Sequence, residues 1–199
     1  MRTASVSRVT GETRIELKIN LDAKGKANVK SGVGFLDHML ELFCFHSGVD
    51  ILLRAQGDTH VDFHHTVEDV GIALGQAFLG ALGEKKGIAR YGSILLPMDE
   101  ALCMVALDIS GRAHLSFDAV LPAQKVGTFD TELVKEFFAA FVREAEITLH
   151  IRSLVGENTH HIIEGMFKGV ARALAQAVKI DPSFAEEIPS TKGTLGGNA

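Results

Sequence analysis

The pattern His-His-x-x-Glu occurs twice in this chain, at His64–Glu68 and at His160–Glu164. If each pattern lies in a helix, its first histidine and its glutamate share a face, because residues four positions apart are neighbours. The second histidine points about 100° away and is free to serve a different site. Imidazole and carboxylate groups together bind Mn, Fe, Zn or Ni. Each pattern can therefore supply two ligands to one metal ion and one ligand to another.

The two patterns belong to a longer internal repeat. The segments VDILLRA and ITLHIRS align with Arg54 on Arg152, an offset of 98 residues. Two residues are lost further along the chain, so that His64 falls on His160. A repeat in which motif and element order agree indicates a duplication rather than a coincidence of apolar patterns. We therefore predict two halves related by a pseudo-twofold axis.

A twofold relation between the halves predicts two metal sites with matching ligands. Each site would combine the first histidine and the glutamate of one pattern with the second histidine of the other. The best additional histidine is His38, whose counterpart under the offset of 98 is Glu136. Neither site can be built from one pattern alone, so both must form between the halves or between subunits. His150 is a reserve ligand. The two predicted sets are His38, His65, His160 and Glu164, and His64, Glu68, Glu136 and His161.

Apolar periodicity predicts the elements that must position these side chains. Helical spacing predicts four helices, which contain GFLDHML, HHTVEDV, DTELVKEF and THHIIEG, and alternating segments between them predict strands. Each half runs through strands, a helix, a strand and a helix that opens on His-His. The fold class is therefore α/β (α+β) with an internal duplication. We place the halves at residues 1–92 and 93–185, followed by a tail at 186–199.

Composition excludes several classes of protein. The chain has 199 residues, which suffices for one large domain or two small halves, and its net charge of −5 argues against a nucleic-acid partner. No apolar run reaches the length of a membrane helix, and the N-terminus lacks the apolar core of a signal peptide. Cys44 and Cys103 lie in apolar runs and make no disulfide framework. We expect a cytoplasmic protein without a membrane partner.

Basic and hydroxyl side chains in separate segments are candidates for a phosphate site. Arg90 follows a glycine break, Arg112 lies in DISGRAH, and Lys192 stands beside Ser190 and Thr191. Guanidinium, ammonium and hydroxyl groups are the donors that phosphate prefers. Spacing alone favours ordinary solvated charge for each of them, and the chain has no glycine-rich phosphate loop.

Seven segments, in order, resemble the imidazoleglycerol-phosphate dehydratase family. The resemblance runs from about Arg8 to Gly193 and implies two halves, each a four-stranded sheet packed with two helices. It also implies a 24-subunit shell with active sites between subunits, and two Mn²⁺ ions in each active site. The segments are GFLDHML, DFHHTVEDVGIALGQA, PMDEAL, DISGRA, TLHIR, NTHHIIEGMFKGVARAL and PSTKG.

The resemblance implies a reaction in histidine biosynthesis. Water is removed from D-erythro-imidazole-glycerol-phosphate, and imidazole-acetol-phosphate is formed. The C–H beside the ring is not next to a carbonyl, so its proton is not acidic by the usual route. Binding of the ring as imidazolate by two Mn²⁺ ions would solve this difficulty, because the metals act as Lewis acids and fix the ring.

The resemblance also assigns roles to single residues. The metal ligands fall on the eight side chains named above, with Glu136 where several family members have histidine, and Ala113 stands where the family usually has proline. Glu12, in TGETRI, matches a substrate-contacting glutamate and is the candidate acid/base. Glu68 and Glu164 are further catalytic candidates. The substrate and phosphate contacts fall on Arg90, Arg112, Lys168, Ser190, Thr191 and Lys192.

Two other functions fit the repeated patterns. A dinuclear metallohydrolase acting on a phosphate ester would release free phosphate instead of a ketone. Metals that only pin a subunit interface would support assembly without turnover. The product formed, and the dependence of assembly on metal, distinguish these functions from the dehydratase.

Overall fold

The computed structural model describes residues 1–196, which form two four-stranded sheets and four long helices. The first sheet has the strand order β1-β2-β4-β3. The elements of the first half are β1 Thr3–Val9, β2 Thr13–Asn20, β3 Ala27–Lys30, α1 Gly34–Ser47, β4 Asp50–Gly57 and α2 His64–Leu82.

The second half repeats this arrangement with the strand order β5-β6-β10-β7. In each sheet the third strand in this order pairs antiparallel with the second and parallel with the short outer strand. The predicted duplicated α/β fold is therefore confirmed. The elements are β5 Tyr91–Met98, β6 Ala101–Asp108, β7 His114–Asp118, β8 Lys125–Val126, β9 Phe129–Asp130, α3 Leu133–Ala145, β10 Thr148–Val155 and α4 Thr159–Ala177, followed by a 3₁₀ turn at Pro182–Phe184.

The four helices join the two halves through a common core. Helix α2 packs on the first sheet and α4 on the second, while α1 packs on α4 and α2 on α3. Large aromatic side chains fill the space between them, because each buries most of its apolar surface there. The fully buried members of this cluster are Phe78, Phe138, Phe141 and Phe167. The cross-half helix pairs bring side chains from distant parts of the sequence together.

The local sequence explains where these elements begin and end. Alternate residues of β2, from Thr13 to Ile19, are buried, which is the pattern of a strand with one face on the core. Helix α1 ends at Gly48, whose φ of 77° lies in the left-handed region that glycine adopts readily. Helix α4 begins after Asn158, whose side chain accepts hydrogen bonds from the backbone N–H groups of His160 and His161.

Sequence periodicity misses two parts of the structure. The four residues of β3 do not alternate clearly, and the ribbon formed by β8 and β9 has only two residues in each strand. Both are too short to show a period. The predicted limits of the halves, at residues 92 and 185, stay a prediction. Within residues 1–196, no helix is long and apolar enough to span a membrane.

Helices α2 and α3 approach closely because α2 carries glycines at the contact. A methyl group added at Gly75 would lie 2.6 Å from the backbone oxygen of Phe141 and 2.7 Å from the Cβ of Glu144. One added at Gly71 would lie 2.7 Å from the backbone oxygen of Phe137. Since these neighbours are mostly backbone atoms, they cannot rotate away. The spacing of the two helices is therefore set by the absence of side chains on α2.

We expect Gly75→Ala to lower the free energy of unfolding by about 1–3 kcal/mol, because overpacking outweighs the better helix propensity of alanine. The matched control is Gly80→Ala on the same helix, where the nearest atom would be the Cβ of Ala4 at 3.3 Å. The control should stay within about 1 kcal/mol of the wild type. Urea unfolding of the three proteins measures the difference. Equal stability of the two variants would contradict close packing of α2 on α3.

Candidate metal centre and active site

Three of the predicted ligands converge where α1 packs on α4. His38, His160 and Glu164 each offer one ligand atom, and these atoms lie within 4.8 Å of one another. His160 Nε2 is 3.3 Å from Glu164 Oε2, as expected for residues four positions apart on one helix. The rings of His38 and His160 have centroids 5.9 Å apart. We call these three residues the trio.

The carboxylate of Glu164 is buried but charged. Burial opposes ionisation, yet the ammonium group of Lys168 lies 2.5 Å away, and the pKa of Glu164 is lowered overall. Lys168 also lies 3.4 Å from the sulfur of Met98, so its side chain is held beside the trio. The site therefore has an ionised carboxylate beside two imidazoles, which is a suitable donor set for a divalent cation.

His65, the predicted fourth ligand of the first set, lies apart from the trio. Its Nδ1 is 3.0 Å from Asp58 Oδ2, and its Nε2 is 3.6 Å from Glu12 Oε1. The hydrogen bond to Asp58 is the main reason that the pKa of His65 is raised. Within the described chain, the first predicted set is thus divided between the trio and a separate group formed by His65, Asp58 and Glu12.

The second predicted set is divided in the same way. His64 and Glu68 share one face of α2, with Nε2 and Oε2 4.0 Å apart, and Glu136 lies on the neighbouring helix α3. Glu68 also pairs with Arg143 of α3 at 3.5 Å. These residues do not form a compact group of three ligands within residues 1–196.

His161 completes neither set within this chain. Its Nδ1 is 2.7 Å from Glu100 Oε2, and its Nε2 is 3.7 Å from Asp99 Oδ2. The hydrogen bond from His161 lowers the pKa of Glu100 to about 2 and raises that of His161. His150, the reserve ligand, lies exposed on β10 beside His114, with ring centroids 5.6 Å apart.

The candidate phosphate-binding residues lie in the C-terminal tail or beside it. Arg90 donates to the carbonyl of Pro189 at 2.9 Å, and its remaining donors form a fork with Asp108 at 2.7 and 3.2 Å. The backbone of Gly111 lies against that of Gly196, so the tail also passes the loop that carries Arg112. The tail residues Ser190, Thr191 and Lys192 lie between these two contacts. Lys168 is the member of the candidate set that contacts the trio.

Sequence reasoning missed several carboxylates of the site. Asp58, Asp99 and Glu100 contact the second histidine of a pattern, and Asp108 holds Arg90. One signal could have identified Glu100: it directly precedes β6, as Glu12 directly precedes β2. The internal repeat therefore relates the two glutamates at an offset of 88 residues.

A buried aspartate fixes the hairpin that carries Glu12. Asp69 accepts hydrogen bonds from the hydroxyl of Thr13 at 2.5 Å and from Nε of Arg8 at 3.0 Å. Its side chain is only 9% exposed, whereas the side chain of Glu12 is 54% exposed. Asp69 thereby ties the end of β1 and the start of β2 to α2, the helix that carries His65.

Comparisons with known proteins indicate the family that this chain is similar to. The family model for imidazoleglycerol-phosphate dehydratase matches residues 31–174. A relative with that name from Rhodopseudomonas palustris (strain HaA2) is 59% identical over 99% of this chain and 100% of the relative. Another from Synechococcus sp. (strain WH7803) is 56% identical over 98% of this chain and 96% of the relative. A crystal structure of imidazoleglycerol-phosphate dehydratase from Staphylococcus aureus is 46% identical with a TM-score of 0.82, over 90% of this chain and 99% of that one. One from Pyrococcus furiosus, in complex with (S)-C348, is 38% identical with a TM-score of 0.82, over 96% of this chain and 100% of that one.

We expect Asp69→Ala to lower the free energy of unfolding by about 2–3 kcal/mol, because Arg8 and Thr13 lose a charged, buried partner. The control is Asp118→Ala, which breaks an exposed ion pair with Arg152 and should cost less than about 1 kcal/mol. Thermal and urea unfolding compare the variants. Similar losses from both substitutions would show that Asp69 does not anchor the hairpin.

Proposed function

The chain belongs to the imidazoleglycerol-phosphate dehydratase family, and from that membership we propose that its two His-His-x-x-Glu patterns build a dinuclear Mn²⁺ centre for the family's reaction. The chain is thus a hydro-lyase of histidine biosynthesis. The observation that carries the proposed centre is the trio, whose ligand atoms lie within 4.8 Å of one another. Atoms bound at about 2.0–2.6 Å from one ion lie within about 5 Å of each other. The residues present therefore fit a metal ion.

The proposed ligand sets are completed by a second copy of the chain. His65 and His161 lie apart from the other members of their sets, each in its own carboxylate group. Self-association would bring the His65 of one subunit to the trio of another. The resemblance to the family supports a 24-subunit shell with active sites between subunits, and a closed symmetric assembly repeats this contact at every site.

When bound, the two Mn²⁺ ions would hold the ring as imidazolate and act as Lewis acids. The protein supplies the remaining functions. We assign proton transfer to Glu12, because its exposed carboxylate lies 3.6 Å from the Nε2 of His65 and therefore faces the proposed substrate position. Glu68 and Glu164 contribute charged carboxylates on the faces of α2 and α4 that carry the first histidines.

We propose that the tail and its basic neighbours bind the substrate phosphate. Arg112 and Lys192 have no carboxylate partner among residues 1–196, so their charges are available to an anion, together with the hydroxyls of Ser190 and Thr191. Arg90 donates hydrogen bonds to Asp108 and to the carbonyl of Pro189, and it therefore holds the tail in place. Binding energy from the phosphate would then orient the reacting carbons.

The first test is turnover of imidazole-glycerol-phosphate by metal-stripped protein. We expect ketone formation only after Mn²⁺ is added, and a decrease in kcat of roughly 10³-fold for His38→Ala, since loss of a ligand removes several kcal/mol of Lewis-acid stabilisation. The control is His114→Ala, an exposed histidine of β7 outside both proposed ligand sets, which should retain wild-type turnover. Release of free phosphate instead of ketone would indicate a hydrolase. Metal binding without any product would indicate a structural metal.

The second test addresses the shared site. His65→Ala and His160→Ala should each abolish turnover, because each damages every copy of the first set. A sample in which the two variants are unfolded and reassembled together should recover part of the activity, since the His65 of one variant can meet the trio of the other. Each variant reassembled alone is the control. No recovery in the mixed sample, with correct particle size by light scattering, would contradict a site shared between subunits.

A further inference from the structure

The second histidine of each pattern is held by a carboxylate through the same ring nitrogen. His161 Nδ1 is 2.7 Å from Glu100 Oε2, and His65 Nδ1 is 3.0 Å from Asp58 Oδ2. An ionised carboxylate only accepts hydrogen bonds, so each Nδ1 must carry the proton. The other nitrogen, Nε2, is then the one with a free lone pair in the neutral ring. The carboxylates therefore select which nitrogen of each ring is available as a ligand.

We propose that Glu100 is a positioning residue that fixes the tautomer and orientation of His161 for metal binding, and that Asp58 does the same for His65. The inference rests on the proposed metal function, in which His161 and His65 are ligands. A partner of this kind orients the ring and raises the basicity of its free nitrogen. Asp99 lies 3.7 Å from Nε2 of His161, beyond hydrogen-bonding distance, and leaves that nitrogen available.

Glu100 also fixes the backbone from which the histidine projects. Its other oxygen accepts hydrogen bonds from the N–H groups of Glu157 at 3.2 Å and Asn158 at 2.8 Å. Asn158 in turn caps the helix that carries His161. One glutamate thus joins the turn between β5 and β6 to the start of α4 and to the ring itself. Three hydrogen bonds leave it little freedom to act as a proton carrier.

The repeat assigns different tasks to two equivalent glutamates. Glu12 and Glu100 occupy the same position, directly before the second strand of each sheet. In the first half, Asp58 takes over the hydrogen bond to the histidine, and Glu12 stays at 3.6 Å from Nε2 with an exposed side chain. In the second half, Glu100 makes that bond itself. In the duplicated fold, Glu12 is therefore available for proton transfer, whereas Glu100 positions a metal ligand.

The test compares Glu100→Gln with Glu100→Ala in metal-free protein that is then titrated with Mn²⁺. Glutamine retains an oxygen for the two backbone N–H groups, but its amide group donates to Nδ1 and so favours the tautomer with a proton on Nε2. We expect the thermal midpoint of the metal-free Gln variant to match the wild type, and that of the Ala variant to be lower. Both variants should bind Mn²⁺ about 10–100-fold more weakly at one of two sites.

The spectroscopic signal of free Mn²⁺ in electron paramagnetic resonance gives the affinities without reference to turnover. Glu157→Gln is the matched control, because it changes a carboxylate in the β10–α4 loop that Glu100 contacts. The side chain of Glu157 has no hydrogen-bond partner within residues 1–196, so this variant should bind Mn²⁺ like the wild type. Unchanged Mn²⁺ affinity in Glu100→Gln would overturn the positioning role. If the wild type itself bound no Mn²⁺, the proposed metal function would fail first, and this inference with it.

Discussion

Adjacent residues on an α-helix point about 100° apart, and this angle prevents both histidines of one pattern from serving the same metal ion. In α4, His160 turns towards α1 and the trio, whereas His161 turns towards the β5–β6 hairpin and Glu100. The same division separates His64 from His65 in α2. The cross-half packing of α1 on α4 brings His38 to His160 and Glu164, and the proposed self-association would bring the second histidines to their sites.

Two carboxylates of the proposed site are paired with basic side chains. Glu164 is buried beside Lys168, and Glu68 pairs with Arg143 across the α2–α3 contact. The ammonium group of Lys168 explains how Glu164 is kept ionised although it is buried. The pair with Lys168 therefore keeps a carboxylate ionised at a position where the proposed metal site needs one.

The sequence predicted the parts of the site that depend on helical periodicity. The faces of α2 and α4 follow from the four-residue spacing, and the repeat indicates His38 because each site needs a fourth ligand. The carboxylates that hold the second histidines do not follow from periodicity. Glu100 and His161 are 61 positions apart, and Glu100 lies in a turn. The fork between Arg90 and Asp108 does not follow from periodicity either. It depends on the strand register that places Tyr91 opposite Asp108. Periodicity reports the face of an element, but contacts between loops depend on how elements pack.

The two proposed metal sites differ in charge, and the difference lies in one residue. The set that contains the trio has one carboxylate, Glu164, whereas the set that contains Glu68 has a second one in Glu136. Since each carboxylate carries one negative charge, the second set would neutralise a divalent cation fully and the first only in part. An imidazolate ring between the sites carries a negative charge and would therefore be attracted more strongly to the metal at the trio. In the proposed arrangement, the internal repeat would make the two sites similar in shape, and Glu136 at the position equivalent to His38 would make them electrostatically unequal.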